Sequence, residues 1–115
     1  MTSTARIRPV GALAAIVALL LCSTGHVAAT PKPATHTVTI EGMQFQPDVL
    51  AVRAGDSIVW INKDPFPHTV TSKSGRFDSQ QIPPGQSWKY RVTTKGEFPH
   101  VCSLHPTMKA ALRVR

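Results

Sequence analysis

Acidic residues, cysteines and long apolar stretches are all scarce in this chain, and each shortage closes off a class of protein. The 115 residues leave room for one small domain, which excludes a multidomain enzyme. The apolar run from Val10 to Leu21 is twelve residues long, short of the ~20 that a spanning helix needs, so stable membrane insertion is not expected. After that run no segment carries a 3.6-residue apolar stripe, which argues against a helical fold. Lys and Arg total thirteen against six Asp plus Glu. They form no run and no aromatic-interleaved stripe, which argues against nucleic-acid binding.

The amino terminus has the layout of an export signal. Arg6 and Arg8 precede the apolar run, and small residues end at Val27-Ala28-Ala29. Residues 1–29 are therefore read as a cleaved signal peptide, placing the mature protein in the periplasm or outside the cell. Cys22 follows Leu21 where a lipobox normally has Gly or Ala, a weak match to lipoprotein processing. Cleavage removes 29 of the 115 residues and two positive charges, so 86 residues remain and the formal charge falls from +7 by two, to +5. Cys102 is then the only thiol in an oxidising compartment, where no internal disulfide can form.

Residues 30–36 begin with a Pro-rich stretch (TPKPAT) and read as a flexible leader, with the folded domain spanning 37–115. The domain patterns as short strands. His36 to Glu41 alternates with Val38 and Ile40 on one face, and Ser57 to Asn62 is rich in β-branched and aromatic residues. Ser87 to Val92 sets Trp88, Tyr90 and Val92 against Lys89 and Arg91, a strand with one face on a core and one in water. Turn signals at Ala54-Gly55-Asp56, Lys73-Ser74-Gly75, Pro83-Pro84-Gly85 and Lys95-Gly96 separate the runs, spaced as in an all-β sandwich. Phe98 to Cys102 and Ala110 to Val114 read as the last strands, with Ser103 to Lys109 as the loop between them.

That loop carries the chemistry. Cys102-Ser-Leu-His105-Pro-Thr-Met108 places a thiolate, an imidazole and a thioether three residues apart, and Pro67-His68-Thr69 supplies a second imidazole from a distant segment. Two His, one Cys and one Met form the donor set of a type 1 copper site, a trigonal His2Cys plane with a weak axial Met. Zinc is the rival metal, but a closed zinc site has no use for Met108. A Cys-His nucleophile is the enzymatic rival, yet no orienting acid or oxyanion donor lies near it in the sequence. His36 reads as a solvated surface residue, Met43 and Phe45 as core, and His100 as an interior hydrogen-bonded imidazole.

With these residues in order, the sequence resembles the cupredoxins, in particular the amicyanin-like and plastocyanin-like small copper proteins. The likeness runs from about Thr37 to Val114. It rests on Met43-Gln-Phe45-Gln-Pro47, Val52-Arg-Ala-Gly55-Asp56, Val59-Trp60-Ile61-Asn62-Lys-Asp64, Pro67-His68-Thr69-Val70 and the short Cys102–Met108 loop. His100 stands where the family usually has an aromatic. The resemblance implies a Greek-key β-sandwich of about eight strands, with one copper ion held by His68, Cys102, His105 and Met108. Asn62, Thr69 and Ser103 would support those ligands.

The expected protein is an exported carrier of single electrons, Cu(II)/Cu(I), and not an enzyme. It would act as a monomer docking transiently with a redox partner through an apolar patch around His105. The basic balance favours an acidic partner or an anionic surface. The alternative is a copper-binding or chaperone module that uses the same ligands to exchange the metal, a purpose that exposed Met-rich or His-rich clusters would favour.

Overall fold

In the computed structural model, residues 1–7, 9, 11, 16–21, 25 and 31–115 are described. The expected cleavage site at Val27-Ala28-Ala29 and the lipobox cysteine Cys22 lie outside them. Eight strands make up the domain: β1 (Thr35–Glu41), β2 (Gln44–Gln46), β3 (Val49–Val52), β4 (Ser57–Asn62), β5 (Thr71–Ser72), β6 (Ser87–Arg91), β7 (Gly96–Cys102) and β8 (His105–Val114). They form two four-stranded sheets, ordered β2-β1-β4-β6 and β3-β8-β7-β5. Parallel pairings of β1 with β4 and of β3 with β8 give the mixed pattern of a Greek-key sandwich. No helix among the described residues is long and apolar enough to cross a membrane.

The period-two pattern places the core. Val38 and Ile40 of β1, Ile58 and Trp60 of β4, and Leu112 and Val114 of β8 are buried, while their neighbours in sequence face outward. Trp60 has no exposed surface and packs on Trp88 with ring centroids 5.4 Å apart. Phe77, from the β5–β6 connection, closes the open side against Tyr90 at 4.9 Å. At the rate of ~25 cal/mol per Å² of apolar surface removed from water, these aromatics supply much of the drive for the two sheets to pack.

Three features differ from the sequence reading. The sheet begins at Thr35, inside the segment read as leader, because Asp56 gathers the chain there. Its carboxylate accepts the Ala34 N–H at 2.9 Å, the Arg53 N–H at 3.0 Å and the His36 ring at 2.9 Å. His36 is accordingly half-buried and not freely solvated. Those bonds, the Ala34 N–H first, then the His36 ring and the Arg53 N–H, outweigh desolvation and pull the Asp56 carboxyl from 3.8 down to about 2.

Met43 is the second difference. Phe45 is core, but Met43 is exposed, because Gly42 (φ 63°) and Met43 (φ 59°) are the two central residues of a tight hairpin whose flanking pair is Glu41 and Gln44. That turn needs positive φ at both positions.

The third concerns the loop after Cys102. β8 already starts at His105, which pairs with Cys102, so only Ser103 and Leu104 lie between the strands.

Candidate metal centre

Cys102 ends β7 at the same end of the sandwich as the β4 terminus. There the register shifts: Val101 pairs with Lys109, but Cys102 pairs with His105. β7 advances one residue while β8 advances four. In a regular strand, positions three apart point to opposite faces. The bulge frees Pro106, Thr107 and Met108 from the ladder, so His105 and Met108 need not obey that alternation. Met108 is buried, whereas His105 is only half-buried.

His68 arrives from the β4–β5 connection. Pro65 and Pro67 keep that segment out of a regular ladder, and His68 is fixed instead by a two-way bridge: its N–H donates to the Ile82 carbonyl at 3.2 Å and its carbonyl accepts the Ile82 N–H at 2.7 Å. Asn62, fully buried, braces the same segment from inside. Its amide group donates to the carbonyls of Phe66 at 2.7 Å and Ile82 at 2.9 Å, and its oxygen accepts the Asp64 N–H at 3.0 Å.

The ring of His68 is oriented by Asp64, a residue that the sequence reading did not single out. Asp64 Oδ2 lies 2.8 Å from His68 Nε2. A carboxylate there accepts a hydrogen bond from Nε2–H, which fixes the tautomer that leaves Nδ1 with a free lone pair, and Nδ1 faces Cys102 Sγ at 3.7 Å. Desolvation pushes the Asp64 carboxyl up. The Met43 N–H, the His68 ring and the Gly42 N–H together outweigh it and hold the group below its ordinary value. The i, i+4 spacing from Asp64 to His68 was the one available sequence signal.

The donor atoms of His68, Cys102 and His105 lie within 4.8 Å of one another, a cluster able to hold a metal ion. Cys102 Sγ sits 3.6 Å from His105 Nδ1 and accepts the Thr69 N–H at 3.3 Å. Thr69 also joins the two ligand-bearing segments through its hydroxyl, which accepts the Ser103 N–H at 2.8 Å. Asn62, Thr69 and Ser103 thus all touch the cluster or the segments that carry it.

His100 is buried beside it, its ring edge-on to Phe45 at 5.3 Å and to Trp60 at 5.8 Å, with Nδ1 3.3 Å from the Phe98 carbonyl. Burial pushes this imidazole below its ordinary value, against the opposing effect of the Phe98 carbonyl. It is the interior histidine that the sequence predicts.

Comparison with known proteins agrees with this geometry. Residues 11–114 match the family model described as the cupredoxin-like domain. Amicyanin-alpha of Methylorubrum extorquens is 30% identical over 110 residues, covering 90% of this chain and 92% of that protein. Amicyanin of Paracoccus versutus is 28% identical over 94 residues, covering 76% of this chain and 71% of that protein. Among solved structures, a variant of amicyanin in its Cu(I) form superposes with a TM-score of 0.67 at 26% identity, covering 76% of this chain and 88% of that one.

Proposed function

The chain belongs to the cupredoxin-like domain family, and from that premise we propose that it is an exported type 1 copper protein carrying single electrons between partners. His68, Cys102, His105 and Met108 are the residues that would hold the copper. The observation that carries it is the convergence of one thiolate and two imidazoles within 4.8 Å, with a buried thioether in the adjoining bulge. Soft sulfur with imidazole is the chemistry of copper, and a buried Met beside the cluster argues against zinc. Copper bound there would supply one-electron chemistry by alternating between Cu(II) and Cu(I).

The residues of the chain do the rest. Asp64 and the Ile82 bridge fix His68, the Thr69 N–H fixes Cys102 Sγ, and Asn62 locks the segment between them, so the donors have little freedom to rearrange. A rigid donor set keeps reorganisation small when charge changes. Cys102 and His68 have no exposed surface, so neither can meet a substrate, and this argues against a Cys-His nucleophile. The same enclosure favours retention of metal over release, and so a carrier over a chaperone.

Half-buried His105 is the port for the electron, with Phe66 and Leu104 exposed as the apolar surface on which a partner docks weakly. The basic surface favours an acidic partner. Family membership and the amino-terminal pattern support export.

The test is optical. Cu(II) added to the mature protein should give an intense visible sulfur-to-copper band that Cys102→Ser abolishes, and Met108→Gln should keep the copper but lower its potential. A colourless wild-type complex, or a serine variant just as blue, would overturn the reading.

A further inference from the structure

Of the three methionines in the chain, one is the initiator, and the other two, Met43 and Met108, line the same cleft of about 420 Å³. Gln44, Gln46, Asp48, Thr107 and Lys109 form its polar walls. Met108 lies at its inner side, 4% exposed, and Met43 at the rim, 36% exposed. The cleft therefore connects solvent with one of the four proposed copper ligands, whereas Cys102 and His68 offer no exposed surface of their own.

Backbone preference does not account for a methionine at position 43. It stands outside the buried core cluster, and its φ of 59° falls in the left-handed region that favours Gly or Asn and is costly for a long side chain. The conformation is nonetheless pinned, because Asp64 accepts both the Gly42 N–H at 2.7 Å and the Met43 N–H at 2.9 Å. The same carboxylate holds His68 at 2.8 Å, so the turn that presents Met43 is built onto the metal centre itself. A residue held in an unfavoured conformation beside a functional site invites a functional reading.

We infer that Met43 is the capture ligand for incoming Cu(I), a thioether at the mouth of the cleft that passes the ion to Met108 and so to the enclosed donors. This rests on the copper reading above. A thioether is a soft donor suited to Cu(I) and, unlike a thiol, forms no disulfide in an oxidising compartment. The transfer is ligand exchange without redox change: a bond from Cu(I) to its carrier breaks as the Met43 Sδ bond forms, and that bond breaks in turn as Met108 and Cys102 take over, the Cys102 thiol releasing its proton to the medium as its sulfur binds the ion. One thioether binds weakly, which a relay position requires.

The experiment is stopped-flow transfer of Cu(I) from its coloured bicinchoninate complex to metal-free protein without oxygen, followed by oxidation to read the blue band. Met43→Leu keeps the volume and the strained turn but removes sulfur; Met43→Gly removes sulfur and relieves the turn. Both should load at least fivefold more slowly than wild type and reach the same final blue spectrum. Loading within twofold of wild type in either variant would overturn the inference, the leucine result by showing sulfur is not needed and the glycine result by tracing the effect to the turn. A slow variant with an altered final spectrum would also overturn it, since Met43 would then act on the finished site through Asp64. If wild type neither takes up Cu(I) nor turns blue, it is the copper reading that fails.

Discussion

Asn62→Ala should destabilise the metal-free protein more than any exposed polar substitution, and the size of the loss follows from the bonds it breaks. Asn62 has no exposed surface and makes three hydrogen bonds, to the carbonyls of Phe66 and Ile82 and from the N–H of Asp64. A buried hydrogen bond contributes about 1 kcal/mol net, and a partner left unsatisfied costs about 1–3 kcal/mol. The three losses are unequal. The Ile82 carbonyl keeps the His68 N–H, and the Phe66 carbonyl belongs to an exposed residue and can turn to water. The Asp64 N–H lies in a buried residue and loses its acceptor. Adding the small cavity left by the side chain, the total is about 3 kcal/mol. At roughly 4–8 °C per kcal/mol for a domain of this size, the midpoint of thermal unfolding should fall by about 12 °C or more. Calorimetry must be run without metal, because a ligand bound only to the folded state raises both midpoints by mass action. A loss below about 1 kcal/mol in a variant with native circular dichroism would refute the view that Asn62 braces the His68 segment from within.

Two other perturbations probe the charged groups. Asp64→Asn should weaken Cu(II) or Co(II) binding about 10- to 100-fold, the usual cost of losing the carboxylate behind a ligating histidine; competition titration giving an affinity within twofold of wild type would remove Asp64 from that role. Asp56 lies at the other end of β1, and its folded value of about 2 is below its ordinary 3.8, so the stability it contributes is fully present above about pH 4 and is lost as pH falls through about 2. Denaturant unfolding of wild type and Asp56→Asn across that window should show the gap between them closing as pH drops, and a gap independent of pH would refute the assignment.

The donors of the proposed site were legible in the sequence because their information is local and chemical. Cys102, His105 and Met108 fall three residues apart, and residue type alone makes them a copper set; the strands around Val38, Trp60 and Tyr90 show in a two-residue alternation that the pleat imposes. The supports of the site were not legible in this way. Asp64 joins Gly42 and Met43 from more than twenty residues away, and Thr69 reaches Cys102 and Ser103 across more than thirty, and no spacing rule encodes a bond between segments that meet only when two sheets pack. Tertiary structure also decided which side of the surface Met43 occupies. Strand alternation put it with Phe45 in the core, but a two-residue hairpin with positive φ at Gly42 and Met43 turns the chain before the alternation reaches it. In the same way the bulge opposite Val101 and Cys102 set the run from His105 to Met108 as a distorted strand end, because one more step of regular pairing would have sent two of the donors to opposite faces.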